Sequence, residues 1–286
     1  MSISEMAAVI GMGRMGAGIA ARLSGVGRLA AVWDSQPISD APAPILPVAE
    51  MVERAGILLF AVPTTRDIRI ALSDLTLPRG CIVVDLTTSD PEDGALLAKE
   101  LSLQGVGYLD AAMTGGAQGA QDGTLTLMIG GETDILGGAR AVLECFATRM
   151  FHLGPAGRGQ AMKLVHNAIL HATFLATCEG LRMVERVGID AALAVEVLNA
   201  GNARSYVSEV RFPRDVLKEY PSARSAVATL AKDLALAEGM AQRLAAPAPY
   251  TQITARFLAL AQEGGDPARD FGLLFREFDE WAGKRP

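Results

Sequence analysis

The chain has 286 residues, of which 50% are hydrophobic and 20% charged, so one large or two ordinary domains with well-filled cores are expected. The formal net charge of −6 disfavours nucleic acids and anionic membranes as partners. No apolar run approaches the ~20 residues that cross a bilayer, and the start of the sequence lacks the pattern of a signal peptide. Three cysteines, Cys81, Cys145 and Cys178, lack zinc-site spacing. We therefore expect a cytoplasmic protein without a structural metal.

The first half of the chain alternates short apolar runs with segments of helical pattern. Several of the apolar runs are nearly continuous, which is typical of strands covered on both faces. Strands are predicted at residues 7–10, 29–33, 57–62, 81–84, 106–109 and 124–129, with helices such as 16–23 and 91–103 between them. This alternation indicates a parallel sheet with right-handed crossovers. Residues 1–158 are therefore predicted to form an α/β domain.

After about residue 153 the pattern becomes helical. Residues 154–159 are rich in glycine, and 160–187 carry apolar residues at helical spacing without a proline. A helix of that length is about 40 Å long at 1.5 Å per residue. Helix breaks follow at Gly188, Gly201, Pro221, Pro247 and Gly264–Gly265. The second domain, 159–286, is therefore predicted to be all-helical and built on this long helix.

A glycine-rich turn lies between the first predicted strand and the first predicted helix. It consists of Gly11, Met12, Gly13, Arg14, Met15 and Gly16, which is a GxGxxG pattern. In this setting the first glycine permits the tight turn, the second lets the backbone approach a pyrophosphate, and the third lets the helix lie close to the strand. Asp34 ends the next strand about 20 residues later, where an acidic residue binds ribose hydroxyls. The sequence therefore predicts a dinucleotide-binding domain.

The same residues bear on the choice of cofactor. A carboxylate at Asp34 accepts a hydrogen bond from a free 2′-hydroxyl and repels a 2′-phosphate, so NAD is favoured over NADP. Arg14 is long enough to reach a 2′-phosphate, so NADP stays open.

Three further motifs follow in order along the chain. They are Val-Asp-Leu-Thr-Thr-Ser-Asp-Pro at 84–91, Asp-Ala-Ala-Met-Thr-Gly-Gly at 110–116, and 157–167 with Lys163 and Asn167. A Lys-Asp-Leu element lies at 232–234. With the glycine turn, this ordered set resembles the β-hydroxyacid dehydrogenase family, which includes 3-hydroxyisobutyrate and 6-phosphogluconate dehydrogenases. The resemblance covers nearly the whole chain and implies a Rossmann-type domain followed by a helical domain.

The resemblance also implies roles for particular residues. Near the cofactor it places Val62, Pro63, Thr88 and Lys232, besides the glycine turn and Asp34. For the substrate it implies Asn167, His166 as in the 6-phosphogluconate branch, and Thr114, Gly115 and Gly116 against a carboxylate. A packed structural histidine is an equal alternative at His166. The site is expected in a cleft between the domains of a homodimer or homotetramer.

The catalytic prediction concerns Lys163. Lys163 and Asn167 are four residues apart and so project from one face of a helix. In the first turn of the predicted long helix, the helix dipole and desolvation would lower the pKa of the lysine, and an oxidised nicotinamide would act in the same direction. A lysine of this kind accepts a hydroxyl proton as hydride leaves and returns it in the reverse direction. Lys163 is therefore predicted as the general acid/base.

Some positions depart from the family pattern. Residues 35–47 are short and rich in proline and alanine where the family usually has a full helix and a strand, which trims the domain beside the adenosine site. Ala112 replaces the usual proline, Thr114 the usual serine, and Ser225 a phenylalanine, which enlarges the expected substrate pocket. Arg204 and Arg224 are candidates for binding a second anionic group.

Three functions are therefore weighed. The first is reversible oxidation of a small β-hydroxy acid to a semialdehyde or keto acid, with or without decarboxylation. The second is imine or ketone reduction on the same fold, and the third is a cofactor-binding sensor or scaffold without turnover. Lys163 and Asn167 favour the first, and the exact substrate is left open.

Overall fold

A computed structural model of the chain describes residues 2–218 and 225–283. It divides into two compact units, residues 1–163 and 164–286. The division falls inside the longest helix, and the predicted domain boundary at residue 158 coincides with the beginning of that helix.

The first unit is built on one sheet. Its strands are β1 (Ala7–Ile10), β2 (Leu29–Trp33), β3 (Ile57–Phe60), β4 (Ile82–Asp85), β5 (Gly107–Thr114), β6 (Leu125–Gly131) and β7 (Ala147–His152). Their order is β2-β1-β3-β4-β5-β6-β7, and all neighbours run parallel except β5 and β6. The predicted α/β fold with a mainly parallel sheet is confirmed, and the β5–β6 pair is an antiparallel exception. The chain between β5 and β6 is too short for a parallel crossover, which needs about a dozen residues or more.

Helices cover both faces of the sheet. They are α1 (Arg14–Gly25), α2 (Val48–Met51), α3 (Thr65–Leu72), α4 (Pro91–Leu103), α5 (Gly116–Asp122) and α6 (Thr133–Leu143), and a 3-10 turn, Ile3–Glu5, precedes β1. Alternate residues of β1 enter different cores: Val9 packs with α1 residues such as Ile19, whereas Ile10 packs with α3 and α4 residues such as Ile68 and Leu97. Because both of their faces are covered, strands such as β1 and β3 read as continuous apolar runs.

The segment 35–47 forms a single parallel bridge instead of a helix and a strand. The Val32 N–H donates to the Pro44 carbonyl at 3.0 Å, and the Leu46 N–H donates to the Val32 carbonyl at 3.1 Å. The proline-rich segment therefore covers the outer edge of β2, whose backbone groups are otherwise unpaired.

The second unit is helical over its described residues. After α7 (Arg158–Arg186), which begins in the first unit, come α8 (Ala191–Ala200), a π-helical segment (Val207–Val216), α9 (Val227–Arg243), α10 (Pro249–Glu263), a 3-10 segment (Phe271–Phe275) and α11 (Phe278–Ala282). Its core contains edge-to-face ring pairs, such as Phe174–Phe271 at 5.0 Å between centroids. The predicted long helix differs from α7 by two residues at its start and one at its end. The predicted break at Pro221 lies outside the described residues.

Close packing between α1 and α5 predicts unequal effects of two glycine substitutions in α1. A Cβ on Gly18 would lie 3.0 Å from three atoms of Ala120 and Gln121, whereas a Cβ on Gly25 would meet nothing within 4 Å. We expect Gly18→Ala to lower the free energy of unfolding by about 1–3 kcal/mol through overpacking. The matched Gly25→Ala is expected to raise it by up to about 1 kcal/mol. Urea denaturation measures both, and equal effects would contradict the packing account.

Candidate active site

The glycine turn after β1 has the shape that a pyrophosphate requires. Gly11 has φ +93°, and a Cβ there would lie 2.5 Å from the Ala61 carbonyl oxygen. A Cβ on Gly16 would lie 1.8 Å from the Gly11 carbonyl oxygen, so only glycine lets α1 begin this close to the turn. Gly13, the N-cap of α1, is exposed, and a Cβ there would meet nothing within 4 Å. The open backbone at Gly13 and the beginning of α1 fit the phosphates of a dinucleotide.

Asp34 lies beside this turn. Its Oδ2 accepts a hydrogen bond from the Met12 N–H at 2.5 Å, and its Oδ1 accepts one from the Gln36 N–H at 2.8 Å. The half-buried carboxylate is thus fixed between the carboxyl end of β2 and the glycine turn. Arg14, the first residue of α1, is exposed, whereas Met15 packs against the core.

Neighbouring strands bring the other predicted cofactor residues of the first unit to one edge of the sheet. Val62 and Pro63 follow β3, and Thr88 follows β4, its parallel neighbour. Val62 and Thr88 are half-buried, and Pro63 is exposed. This edge, at the carboxyl ends of parallel strands, is where ligands bind in open α/β sheets.

The predicted carboxylate-binding residues lie in the turn from β5 to α5. Thr114 is the last residue of β5 and is half-buried. Gly115 and Gly116 follow with φ +128° and +68° and are exposed. Both angles favour glycine, and without side chains the two backbone N–H groups are accessible.

A buried polar network that the sequence did not predict lies behind these strand ends. Asp85, the last residue of β4, is fully buried. Its Oδ2 accepts hydrogen bonds from the Thr65 hydroxyl at 2.6 Å, the Tyr108 hydroxyl at 2.9 Å and the Gln160 side-chain amide at 3.0 Å. Burial, followed by the charge of Asp85, raises the pKa of Tyr108 well above its ordinary value.

A second buried carboxylate, Asp110, lies on β5 next to Asp85. Its Oδ1 accepts from the Gly157 N–H at 2.7 Å, and its Oδ2 accepts from the Gln160 N–H at 2.8 Å. Burial raises the pKa of Asp110 to about 6; the backbone hydrogen bonds oppose this shift, and the charge of Asp85 adds to it. Asp85 and Asp110 both lie in motifs that the sequence analysis quoted, but nothing in the sequence indicated that they are buried and anchor the beginning of α7.

The predicted catalytic residue lies on α7. Lys163 is half-buried and is the sixth residue of this helix. The helix begins two residues earlier than predicted, so Lys163 lies in the second turn and not the first. The field of the helix dipole falls off within the first turn, so the dipole acts less on Lys163 than the sequence suggested.

In the second unit, Asn167 is buried with its amide held in place. Its Nδ2 donates to the Asp233 Oδ2 at 2.7 Å, and its Oδ1 lies 3.0 Å from the His166 Nδ1. Lys232 is half-buried, with its Nζ 3.1 Å from the Asp233 Oδ1. The Lys-Asp-Leu element thus orients the asparagine predicted to bind substrate.

Arg204 and Arg224 were the predicted candidates for binding a second anionic group. Arg204 is exposed and pairs loosely with Glu209 at 3.8 Å, and Arg224 lies outside the described residues. His152 contacts the Gly131 carbonyl at 2.7 Å through its Nε2, and His171 is buried. Across residues 2–218 and 225–283 the structure contains no cluster of three or more His, Cys, Asp or Glu suited to a metal ion. None of the described helices is long and apolar enough to span a bilayer.

Two family models together match almost all of the chain. The NAD binding domain of 6-phosphogluconate dehydrogenase matches residues 6–154, more than half of the sequence. The NAD-binding domain of NADP-dependent 3-hydroxyisobutyrate dehydrogenase matches residues 157–277. The chain belongs to the β-hydroxyacid dehydrogenase family. It is an NAD(P)-dependent hydroxyacid dehydrogenase.

Individual relatives agree with this assignment. The mitochondrial 3-hydroxyisobutyrate dehydrogenase of Drosophila melanogaster is 28% identical over 281 residues, which cover 93% of this chain and 87% of the relative. The NAD-dependent L-serine dehydrogenase of Pseudomonas aeruginosa is 27% identical over 294 aligned residues, which cover 97% of this chain and 99% of the relative.

Solved structures share the fold along nearly the whole chain. The 3-hydroxyisobutyrate dehydrogenase of Mycobacterium tuberculosis, solved with L-serine, has a TM-score of 0.85 at 26% identity and covers 96% of this chain and 99% of its own. A reductive aminase from Aspergillus terreus has a TM-score of 0.60 at 17% identity, with 96% and 99% covered, and shows the fold alone. The predicted architecture, a Rossmann-type domain followed by a helical domain on a long helix, is confirmed.

The pKa of Asp110 generates a prediction about stability. A carboxyl with an ordinary pKa of 3.8 that rises to about 6 on folding binds its proton more tightly in the folded protein. Its contribution to stability is therefore complete below about pH 4 and is lost as the pH rises through about 6. The quantity to compare is the free energy of unfolding of the wild type minus that of Asp110→Asn. We expect this difference to be on the order of 2 kcal/mol larger at about pH 4.5 than at about pH 7.5. Denaturant titrations at the two pH values measure this difference, and a constant or opposite trend would contradict it.

Proposed function

We propose that the enzyme reversibly oxidises a small β-hydroxy acid, such as 3-hydroxyisobutyrate or a related acid, with Lys163 as general acid/base and NAD as the preferred cofactor. The observation that carries the proposal is the arrangement on α7, where Lys163 is followed four residues later by Asn167. Lys163 supplies a proton-transfer group. Asn167, whose amide is held by Asp233, supplies a fixed donor and acceptor.

The cofactor-binding residues are proposed from the geometry of the first unit. Gly11 to Gly16 receive the pyrophosphate, and Asp34 binds the ribose hydroxyls of the adenosine half. Val62, Pro63 and Thr88 would flank the nicotinamide half at the strand ends, and a cofactor role of Lys232 rests on the family resemblance of the Lys-Asp-Leu element. When bound, the oxidised nicotinamide supplies the hydride acceptor.

The acid/base step is assigned to Lys163 in its neutral form. Its Nζ accepts the proton of the substrate hydroxyl while the carbon that bears this hydroxyl gives up a hydride. In the reverse reaction Lys163 returns the proton. Asn167 orients the hydroxyl or the carboxylate, and His166 is the adjacent substrate contact. Lysine fits this role because burial and neighbouring charges move its pKa readily, whereas arginine stays charged.

The substrate carboxylate is assigned to Thr114, Gly115 and Gly116. One hydroxyl and two accessible N–H groups can donate three hydrogen bonds to one carboxylate without a full positive charge. The substrates named for the relatives share this chemistry: 3-hydroxyisobutyrate and L-serine each carry a carboxylate and a primary hydroxyl on the carbon two positions away. We therefore propose this hydroxyl-to-carboxylate spacing as the feature that the enzyme recognises.

Imine or ketone reduction is the alternative on the same fold. Lys163 argues against it, since a lysine base serves the oxidation of a hydroxyl and is typically missing from the imine reductases that resemble this family. Assays with cyclic imines and reduced cofactor test it directly. Turnover of imines without turnover of any 3-hydroxy acid would favour this alternative.

We also propose that the enzyme is a homodimer or homotetramer. Ile169 and Met183 of α7 and Leu193 and Val197 of α8 are each more than half exposed, and such apolar faces are typically covered by another subunit. A cytoplasmic location stays a prediction, and several relatives are named mitochondrial enzymes.

The role of Lys163 is tested with Lys163→Met and Lys163→Arg. Both variants lose the group that can gain and lose a proton, while arginine keeps the charge. We expect both to lower kcat for 3-hydroxy acids by about 100- to 10,000-fold. If neutral Lys163 is the base, kcat/KM of the wild type should rise with pH, and this rise should disappear in both variants. The affinity for NAD should stay near that of the wild type. Near-wild-type turnover by Lys163→Arg would contradict proton transfer by Lys163.

The role of Asp34 is tested with Asp34→Asn. Asparagine keeps an acceptor for the Met12 N–H but removes the charge that repels a 2′-phosphate. We expect the ratio of kcat/KM for NADP to that for NAD to rise about 10-fold, corresponding to ~1.4 kcal/mol. Asp40→Asn, in the exposed part of the following loop, is the matched control and should leave the ratio unchanged. No change in Asp34→Asn, or wild-type preference for NADP, would refute the assignment.

A further inference from the structure

The beginning of α7 is held by two buried anchors. The first joins its backbone to Asp110, which accepts the N–H groups of Gly157 and Gln160 at 2.7 and 2.8 Å. These are N–H groups that a helix leaves without intrahelical partners. Asp110 belongs to β5, so it works as a helix cap supplied by a distant strand and not by the preceding residue.

Two glycines make room for this cap, and a third lets the backbone before α7 pass close to Pro91. A Cβ on Gly130 would lie 2.4 Å from the Asp110 Oδ1, and one on Gly159 would lie 2.8 Å from its Oδ2. A Cβ on Gly157, which has φ +90°, would lie 2.5 Å from the Pro91 carbonyl oxygen. Gly130 of β6 and Gly159 of the glycine-rich joint therefore let the backbone approach the Asp110 carboxylate closely. Close packing accounts for these glycines without any need for flexibility.

The second anchor is the side chain of Gln160, which is fully buried. Its Nε2 donates to the Thr65 hydroxyl and to the Asp85 Oδ2, both at 3.0 Å. Thr65 follows the Val62-Pro63 turn, and Asp85 precedes Thr88 by three residues. One glutamine thus joins α7 to the two strand ends proposed to flank the nicotinamide.

We propose that Asp110, assisted by Gln160, is the positioning residue for Lys163. Lys163 lies three residues after Gln160 in a continuous helix. The anchors therefore fix the rotation of the helix about its axis and the position of Lys163 along that axis relative to the strand ends. This inference rests on the proposed role of Lys163. Because a shift of about 1 Å in a reacting group can cost about 100-fold in rate, loss of the cap should reduce kcat strongly.

The experiment uses Asp110→Asn, which keeps the volume and one acceptor but turns an NH₂ toward one of the two N–H donors. It is measured in the wild-type and Lys163→Met backgrounds with a 3-hydroxy acid and NAD. Asp190→Asn is the matched control, since Asp190 caps α8 by accepting the N–H groups of Ala192 and Leu193. The folded fraction of each variant is followed by circular dichroism.

In the wild-type background we expect Asp110→Asn to lower kcat by about 100-fold and to leave the KM for NAD unchanged. In the Lys163→Met background the same substitution should lower kcat by less than about 3-fold, because the effects of residues that act through one another are not additive. Asp190→Asn should lower the melting temperature without lowering kcat. Equal losses in both backgrounds, or unchanged kcat in a folded Asp110→Asn, would overturn the proposal.

Two further arms keep the outcomes distinct. If Asp110→Asn does not fold, Gln160→Met, which removes the second anchor at similar volume, takes its place with an expected loss of about 10-fold that again vanishes beside Lys163→Met. If Lys163→Met alone retains wild-type turnover, the role of Lys163 has failed, and the positioning proposal falls with it. Loss of activity in Lys163→Met with full activity in both anchor variants refutes the positioning proposal alone.

Discussion

Two buried carboxylates, Asp85 and Asp110, are the constraint on which the rest of the first unit depends. An ionised group taken out of water is costly unless hydrogen bonds replace its hydration, so each carboxylate requires donors in fixed places. The donors come from Thr65, Tyr108 and the beginning of α7. Satisfying the two carboxylates therefore aligns the strand ends with the helix that carries Lys163.

The sheet topology explains why the other candidate residues meet at one edge. β1 lies between β2 and β3, so the chain runs from β1 to one side of the sheet and then returns past β1 to β3 on the other side. Ligands of open α/β sheets bind at the carboxyl ends of the strands where the order reverses in this way. The glycine turn, Asp34 and the segments after β3 and β4 all lie at carboxyl ends of parallel strands. Because β5 runs parallel to β4, the Thr114 turn at its carboxyl end lies at the same edge of the sheet. The fold thus supplies positions, and the side chains supply chemistry.

Much of this organisation could be predicted from the sequence because its signals are local. The run from β1 through the glycine turn to Asp34 is contiguous, and α7 shows helical periodicity over most of its length. β7 was missed because only one of its six residues is buried, which leaves no apolar run to detect. The antiparallel pair and the bridging role of residues 35–47 depend on pairing between distant segments, which periodicity does not report.

The candidate site was predicted unevenly for the same reason. Motif residues such as Lys163 and Asn167 could be named from spacing and resemblance, and their roles stay proposals. Asp110 stood inside one of the quoted motifs, yet its contact with Gly157 joins residues 47 positions apart and no spacing rule indicates it. The turn occupied by Lys163 was misplaced because a helix start can shift by two residues without changing the apolar pattern.

The central claim, direct hydride transfer from a β-hydroxy acid, is tested most directly with a substrate carrying deuterium on the carbon that bears the hydroxyl. Mass spectrometry of the reduced cofactor then shows where the label goes. The account predicts that the reduced nicotinamide carries one deuterium per turnover and that kcat/KM falls with the labelled substrate if transfer limits the rate. Unlabelled reduced cofactor, with the deuterium released to water, would contradict it.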